Sequence, residues 1–587
     1  MDLVPDTIVE SLGTAGVGRG SLLAVAASPG VGFAVAGDGA AFARVADDDA
    51  MAFCLTAIER DLAPRWVVWN GAESRALLDL EVRLGACWNL AAVHRLTVGG
   101  WKADPPRIWA HHRGLDPSTV PDTDRDDHTV DLFTAADRAT GDLDDPVRPD
   151  GHLRSDWGGR LWDATPTRLA AWAAVALEIA KAQTIERAGV ADRPKAALIA
   201  RSESTVELLC NEMAANGLPM DSVVAESIVG SLAGPRPAGE AEADEIRRSR
   251  DAVVLAHAPV GADFDLRSPG QVKSLLRRVG IEVPDTRAWR LEPLVGRHPI
   301  VKPLLEWRKA ERMSTTFGYA WLDEHLGDDG RLRGSWTSCD GAAGRMTASA
   351  GMHNMPAEMR PAVIADDGYV FVRADLGQVE PRVLAAVSGD PKLAKASTVD
   401  DLYAEVAETL GVEREIAKVA VLGAMYGQTT GRGAQALAEL RKAYPVSMDF
   451  LDEADRRARG GHDLTTYGGR RLRMDNRTDF DLPEQAARSR TAARGRYGRN
   501  AVIQGAAAEL FKMWAVTVRS RAEDLGADVV LCLHDELLVH APMPVGQEVA
   551  TLVDAALDET VRRWAPDGSV RFLADTALIG RWSDAKD

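Results

Sequence analysis

Residues 531–540, LCLHDELLVH, place two adjacent acids between apolar runs. Leu531, Cys532 and Leu533 precede His534-Asp535-Glu536, and Leu537, Leu538 and Val539 follow. Such a pattern predicts a buried hairpin. Hairpins ordinarily turn on Gly, Asn or Pro, and none of these stands here. A buried carboxylate costs several kcal/mol unless something compensates it. These acids therefore need a compensating partner.

A second carboxylate in a comparable setting is Asp375. "YVFVRAD" reads as a strand ending on it, and "EPRVLAAVSG" as a helix with Pro381 in its first turn. A carboxylate at a strand end before a helix start suits a metal ligand, but taken alone Asp375 reads first as a helix N-cap. In "EREIAKVAVLGAMYGQ", residues 413–428, Arg414, Lys418, Leu422 and Tyr426 recur every four positions. On a helix they form one slanted stripe from two cations to an apolar and then an aromatic side chain. That order suits a nucleoside triphosphate, though a solvated amphipathic helix has the same pattern. Gly423 and Gly427 each cost about 1 kcal/mol in a helix interior, which suggests a close approach of another backbone or of substrate. Asp375 and Asp535, on separate strands, could hold two divalent ions about 3.5–4 Å apart. Mg²⁺ takes one or two carboxylates together with substrate phosphates.

At 587 residues the chain is too long for one core, and two to four domains are expected. No run of about 18 apolar residues appears, so no transmembrane helix is expected. The start, MDLVPDTIVESLG, lacks the basic and apolar regions of a signal peptide. Five cysteines without a CxxC pair fit a reducing cytosol and argue against zinc or a disulfide framework. Residues 21–110 alternate strand-like runs (LLAVAAS, VGFAVAG, WVVWN) with helical stretches, an α/β pattern. Residues 118–158 read as an acidic linker, 166–188 and 202–230 as helical with a break near 217–219, and 238–251 as an exposed helix. The net charge of −18 argues against nucleic acid, but charge is unevenly placed. Between 456 and 499 stand twelve arginines and five acids, a local excess of seven positive charges, which predicts a phosphate-facing surface. Only 12 of the 69 basic residues are lysine, so a lysine at a chemically pointed position is less expected as background.

The three segments, in this order, resemble the motifs of the DNA polymerase I family (family A polymerases). DLGQVEPRV resembles motif A, REIAKVAVLGAMYG motif B and LHDE motif C. GRMTAS (344–349) with MHNMP resembles the primer-contacting palm segment, and RYGRNAVIQGAAAEL (496–510) the minor-groove helix. FDLRSPGQVKSLL and HPIVKPLLEWRKAERMSTTF resemble the thumb. The resemblance covers about 200–587. It implies an α+β multidomain fold, a right-hand polymerase preceded by a ribonuclease-H-like α/β exonuclease-like domain. The implied boundaries are 1–190 for that domain with its linker, 191–335 thumb, 336–390 first part of the palm, 391–495 fingers and 496–587 second part of the palm.

The resemblance also implies roles. Asp375 and Asp535 bind two Mg²⁺ ions, with Mn²⁺ as a substitute, and Glu536 is auxiliary. Arg414 and Lys418 hold the triphosphate, and Lys418 protonates the leaving pyrophosphate. Leu422, Tyr426 and Gln378 lie at the nucleotide, and Glu380 at the steric gate against a ribose 2′-hydroxyl. Arg345, Asn500, Gln504 and His534 meet the minor groove near the primer end, and Arg496 the template. The implied partners are primer-template DNA and dNTPs, for a monomer of the bacterial cytosol or nucleoid, without a membrane, acting in repair or gap filling.

Three departures stand out. Leu376-Gly377 replaces the family's Tyr-Ser in motif A, Leu422 replaces the aromatic residue of motif B, and the span between these motifs is short. In the N-terminal region no Asp-x-Glu occurs in SLLAVAASPGVGFAVAG, and Ser74 and Asn89 stand where the proofreading fold has aspartates. The expectation is an inactive exonuclease-like domain, with no 5′-nuclease before it. The competing readings are a primer-template binding protein that polymerises poorly, motivated by Leu376, Gly377 and Leu422, and an active exonuclease, disfavoured by the missing acids.

Overall fold

The computed structural model describes residues 5–116, 120, 142–158, 162–188, 195–259, 264–427, 434–474 and 482–585. Most of the expected acidic linker, and Gln428 and Arg477, lie outside them. The chain forms two compact units. The first comprises Met1–Asn216, Ser335–Thr347 and Gly368–Leu578, and the second Gly217–Gly334, Ala348–Asp367 and Ile579–Asp587.

The first unit opens on a mixed sheet of β1 (Leu22–Ser28), β2 (Gly32–Gly37), β3 (Ala40–Val45), β4 (Arg65–Val68) and β5 (Cys87–Asn89), in the order β3-β2-β1-β4-β5. β1, β2 and β3 pair antiparallel, while β4 and β5 run parallel to β1. The period-2 alternation of side chains sorts the two faces. Ala24, Ala26, Ala34 and Ala36 admit α1 (Pro166–Ala188) closely through Trp172, Ala173 and Ala176. Leu23, Val25, Phe33 and Val35 pack on the other face with Met51, Leu55 and Ile58 of the helix Asp48–Leu62. The α/β expectation for 21–110 describes this layer.

α2 (Ala196–Asn216) belongs to the first unit, although the segment from 191 was expected to open the thumb. It is buried on several sides, and its acids bind cations of the core. Glu212 pairs with Arg519, which also donates to the carbonyls of Leu84 and Gly85.

A second sheet holds β6 (Tyr369–Leu376), β7 (Asp528–Leu533), β8 (Glu536–Pro542) and β9 (Ala574–Ile579), in the order β7-β8-β6-β9. Val372, Ala374, Leu376, Leu537 and Val539 face an apolar cluster. Phe511, Trp514 and Val518 of the helix Glu484–Ala522 and Val553 and Leu557 of the helix Gly546–Trp564 complete that cluster. Around this layer stand α3 (Val379–Ser388), α4 (Leu402–Leu410), α5 (Arg414–Tyr426), α6 (Pro445–Arg459), α7 (Glu484–Ala522) and α8 (Gly546–Trp564). Contrary to the sequence expectation, one window within Glu484–Leu525 is apolar enough to cross a membrane, yet 78% of it is buried inside the fold. It is apolar because it is the core helix.

The second unit is helical, with Ser222–Ala233, Glu240–Leu255, Pro269–Arg278 and Val301–Thr316 around Val254, Leu266, Val272, Leu275, Leu304 and Trp307. The break foreseen near 217–219 is the short strand Leu218–Pro219, and the helix foreseen at 238–251 is Glu240–Leu255 with only Val254 buried.

Candidate active site

Asp375 stands near the end of β6, directly opposite Glu536 at the start of β8. The Leu376 N–H donates to the Asp535 carbonyl at 2.9 Å, which ties the strand end to the β7–β8 turn. That turn has two residues, closed by the Leu533–Glu536 pair. Its first residue, His534, has φ 57° and is exposed. A two-residue hairpin demands positive φ at its first position, normally supplied by glycine, asparagine or aspartate. A non-glycine residue there costs roughly 1–3 kcal/mol, and such strain collects at functional sites.

The partner of the buried acid is a protein cation. Arg373 lies two residues before Asp375, on the same face of β6, and Glu536 is its diagonal neighbour across the sheet. The Arg373 side chain is 7% exposed. Its Nε donates to Glu536 Oε1 at 2.8 Å and its Nη2 to Asp375 Oδ2 at 2.7 Å, with Asp575 Oδ2 3.5 Å from Nη1. Arg373 thus neutralises Glu536 from within the protein. The signal available in the sequence was an arginine inside an otherwise apolar strand.

Asp535 has no ion pair among the described residues, although the charge of Arg345 reaches it. Burial pushes its carboxyl above the ordinary range. Asp375 is pushed up to about 6 by burial and by the charge of Asp535, with Arg373 pulling the other way. Two carboxylates crowded together at adjoining strand ends, one of them unpaired, are anions awaiting a cation. Among the described residues no group of three Asp, Glu, His or Cys side chains forms a metal cage. A two-carboxylate donor set therefore fits ions that complete their coordination with substrate phosphates and water.

The turn after β6 is fixed from beneath. Arg382 is fully buried and donates to the carbonyls of Gly377, Ser397, Val399, Asp400 and Arg571 at 2.5–3.1 Å. Sequence reasoning missed it, because its acceptors are all backbone. Gln378, with φ 54°, starts α3. Its amide donates to Asp401 Oδ1 at 2.8 Å and accepts from the Leu402 N–H at 2.8 Å. The side chain expected at the nucleotide is thus occupied in holding the start of α4.

The Arg414–Lys418–Leu422–Tyr426 stripe lies on α5 as expected. Arg414 pairs with Asp401 at 2.6 Å and Glu415 at 2.8 Å. Lys418 is half-buried and has no hydrogen bond or ion pair among the described residues. Leu422 is half-buried against the core. The close-approach reading of Gly427 is corrected in part. It is the C-cap of α5, with φ 67°, and not an interior residue, although a Cβ there would lie 3.0 Å from Arg496 Cγ.

Glu380 accepts from Arg345 at 3.0 Å and from the Tyr426 hydroxyl at 3.4 Å. Burial raises its carboxyl pKa. Tyr426 is also hydrogen-bonded to Gln504. Arg496, Asn500 and Gln504 follow at helical spacing on α7, and the buried Asn500 Oδ1 has no partner among the described residues.

The basic window is less open than its composition suggested. Among its described arginines, Arg456, Arg459, Arg470, Arg471, Arg488 and Arg499 pair with carboxylates. Arg470 and Arg499 are buried, bound to Glu203 and Asp452 respectively. Most of these acids lie outside 456–499, so a window count could not include them.

In the N-terminal layer, Asn70 and Asn89 cap the helices that follow β4 and β5. Ser74 is buried, donating to the Gly71 carbonyl and accepting from Asn211. Glu73, which sequence reasoning passed over, accepts from the Trp69 N–H at 2.7 Å and Trp172 Nε1 at 3.1 Å. Burial raises it to about 7. Trp69 stacks on Trp172 at 4.5 Å, with Trp157 and Trp162 alongside.

A family model described as DNA polymerase family A matches residues 241–583. DNA polymerase I of Deinococcus radiodurans is 27% identical over 375 residues, covering 56% of this chain and 37% of that protein. The Chloroflexus aurantiacus enzyme is 30% identical over 360 residues, covering 54% and 37%. The thermostable DNA polymerase I of Thermus aquaticus is 29% identical over 304 residues, covering 46% and 36%. The chain thus spans under half the length of these relatives. The POL domain of Pol1 from M. smegmatis, solved with DNA primer-template and dNTP, superposes with a TM-score of 0.68 at 20% identity. That match covers 99% of each chain and shows the fold to be shared.

Proposed function

Because this chain belongs to DNA polymerase family A, we propose that it is a template-directed DNA polymerase that adds dNMP units to a primer 3′-hydroxyl. The observation that carries this reading is the meeting of Asp375 with Asp535 at adjoining strand ends. The family's relatives and the fold shared with a primer-template complex support it.

Asp375 and Asp535 would hold the divalent ions, Mg²⁺ or Mn²⁺. Such ions, when bound, activate the hydroxyl and neutralise charge on the leaving pyrophosphate. Lys418, without a protein partner among the described residues, receives the triphosphate and gives a proton to the departing pyrophosphate. Arg414 reaches the same phosphates by exchanging Asp401 for them. Glu380, held by Arg345 and Tyr426, presents a fixed wall to a ribose 2′-hydroxyl. Asn500 offers its unsatisfied carbonyl, and Gln504, His534 and Arg345 line the primer side, with Arg496 toward the template.

In domain terms, β6–β9 with their helices are the palm, α4–α6 the fingers and the helical second unit most of the thumb. The N-terminal layer is an exonuclease-like domain without exonuclease chemistry, since Asn89 and Ser74 serve as a cap and a packing group. Purified protein with Mg²⁺ is therefore expected to release no 3′-terminal nucleotides from labelled DNA. Metal-dependent release, abolished by a substitution within 1–190, would show the reverse. The cellular role is gap filling or repair by a monomer in the bacterial cytosol or nucleoid.

Primer extension with Mg²⁺ and dNTPs tests the reading. Failure with every divalent ion would favour a primer-template binding protein, a reading that Leu422 also motivates. A ring at 422 would add base stacking worth roughly 1–3 kcal/mol in comparable contacts. Leu422→Phe is accordingly expected to tighten nucleotide binding and alter dNTP/ddNTP selectivity, measured by competition. Identical selectivity in the two proteins would sink the argument.

A further inference from the structure

Arg373 is the group at this site that the expected chemistry leaves unused. We propose that it is a positioning residue, a resident cation that orders Asp375 and Glu536 and competes with divalent ions for Asp375. The inference rests on the polymerase reading above only for the assignment of Asp375 and Asp535 as metal ligands.

The geometry is specific. The guanidinium is almost fully enclosed and its fork spans two acids on neighbouring strands, Asp375 and Glu536. It engages only Oδ2 of Asp375. The third acid, Asp575, is 81% exposed and 3.5 Å away, so it adds little hold. An ion bound to Asp375 would stand within a few ångströms of a fixed positive charge that cannot deprotonate. Arg373 would thus weaken binding of free metal. Triphosphate adds negative charge to the site, so the penalty falls when the ion arrives with the nucleotide. The chain would then hold its carboxylates in register without metal and bind metal tightly only in the substrate complex.

Mn²⁺ titration of the full chain, without DNA or nucleotide and well above the carboxylate range, reads this directly from the electron paramagnetic resonance of free Mn²⁺. Arg373→Gln is expected to bind Mn²⁺ about tenfold or more tightly than wild type, since one charge at this range shifts a neighbour's ionic equilibrium by roughly 1–3 log units. Arg373→Lys keeps the charge and is expected to stay near wild type. Asp375→Asn should remove the gain when combined with Arg373→Gln. Unchanged or weaker binding in a normally melting Arg373→Gln protein overturns the proposal and leaves Arg373 a structural partner of Glu536. If that variant fails to fold, Arg373→Gln with Glu536→Gln removes the buried cation and its anion together. Tighter binding by this pair than by Glu536→Gln alone supports the inference, and equal binding overturns it. No Mn²⁺ binding in any variant overturns the metal assignment and this proposal together. Absent extension with the expected Mn²⁺ pattern would sink only the polymerase reading.

Discussion

Asp535→Asn is expected to lower primer extension by on the order of 10³-fold or more, while the melting temperature of the metal-free protein stays level or rises. On the proposed metal roles, the loss follows from removing one of two carboxylates where no group of three Asp, Glu, His or Cys side chains forms a cage among the described residues. Several kcal/mol of transition-state stabilisation depend on metal placement, and each 1.36 kcal/mol is about a factor of ten in rate. The stability change has the opposite sign because Asp535 is a liability without metal. Burial raises its pKa, and its charge in turn raises that of Asp375. A carboxyl whose folded pKa lies above its unfolded value favours folding below the unfolded pKa, and that advantage is lost as pH rises through the folded pKa. For Asp375 the window runs from the ordinary carboxylate range up to about 6. At neutral pH both acids therefore oppose folding, and neutralising one relieves the other. Melting curves with and without Mg²⁺, beside rates, separate this from simple unfolding. A large drop in melting temperature without metal would count against it.

The second large effect concerns stability. Glu203→Gln is expected to cost about 3–5 kcal/mol, read as a lower urea midpoint at neutral pH. Glu203 is buried on α2, accepting from Lys512 Nζ at 2.9 and 3.0 Å and ion-paired to Arg470 at 2.5 Å. All three side chains are almost fully enclosed. Removing the anion leaves two buried cations whose remaining nearby acid is Glu509, itself pushed up to about 7 by burial. Burial alone would raise the Glu203 pKa, but Arg470 and Lys512 outweigh it and hold the carboxyl below the ordinary range. With a lowered folded pKa, this stabilisation is present above the unfolded value and is lost as pH falls through the folded one. Wild type should therefore lose stability on acidification over a range where the variant has none of this contribution left to lose. Equal urea midpoints would show that the cluster packs without net electrostatic gain.

Much of the site was legible because local chemistry announces itself. The stripe on α5 follows from the 3.6-residue period, and the strand ending at Asp375 from its apolar, β-branched run. The LHDE turn was legible as an anomaly, acids where a turn residue belongs. Several of the missed contacts join residues remote in sequence. Glu203 and Lys512 are 309 positions apart, and Arg373 and Glu536 are 163 apart. Arg382 binds only carbonyls, which leave no trace in residue type. The basic window misled for the same reason, since Glu203 and Asp452 lie outside it.

The sequence by itself determined the element types, the order of the three motifs and the choice of Asp375 and Asp535 as the proposed centre of the chemistry. These depend on periodicity and on which functional groups are present. Tertiary structure decided which charges are spent inside the protein and which remain for a ligand. It assigned Arg373 to Glu536 and Asp375, Arg470 to Glu203 and Gln378 to Asp401, and left Lys418 and Asp535 without ion pairs among the described residues. The physical reason is that a charge's role depends on its distance to other charges and to water. Those distances exist only once strands and helices far apart in the chain have packed.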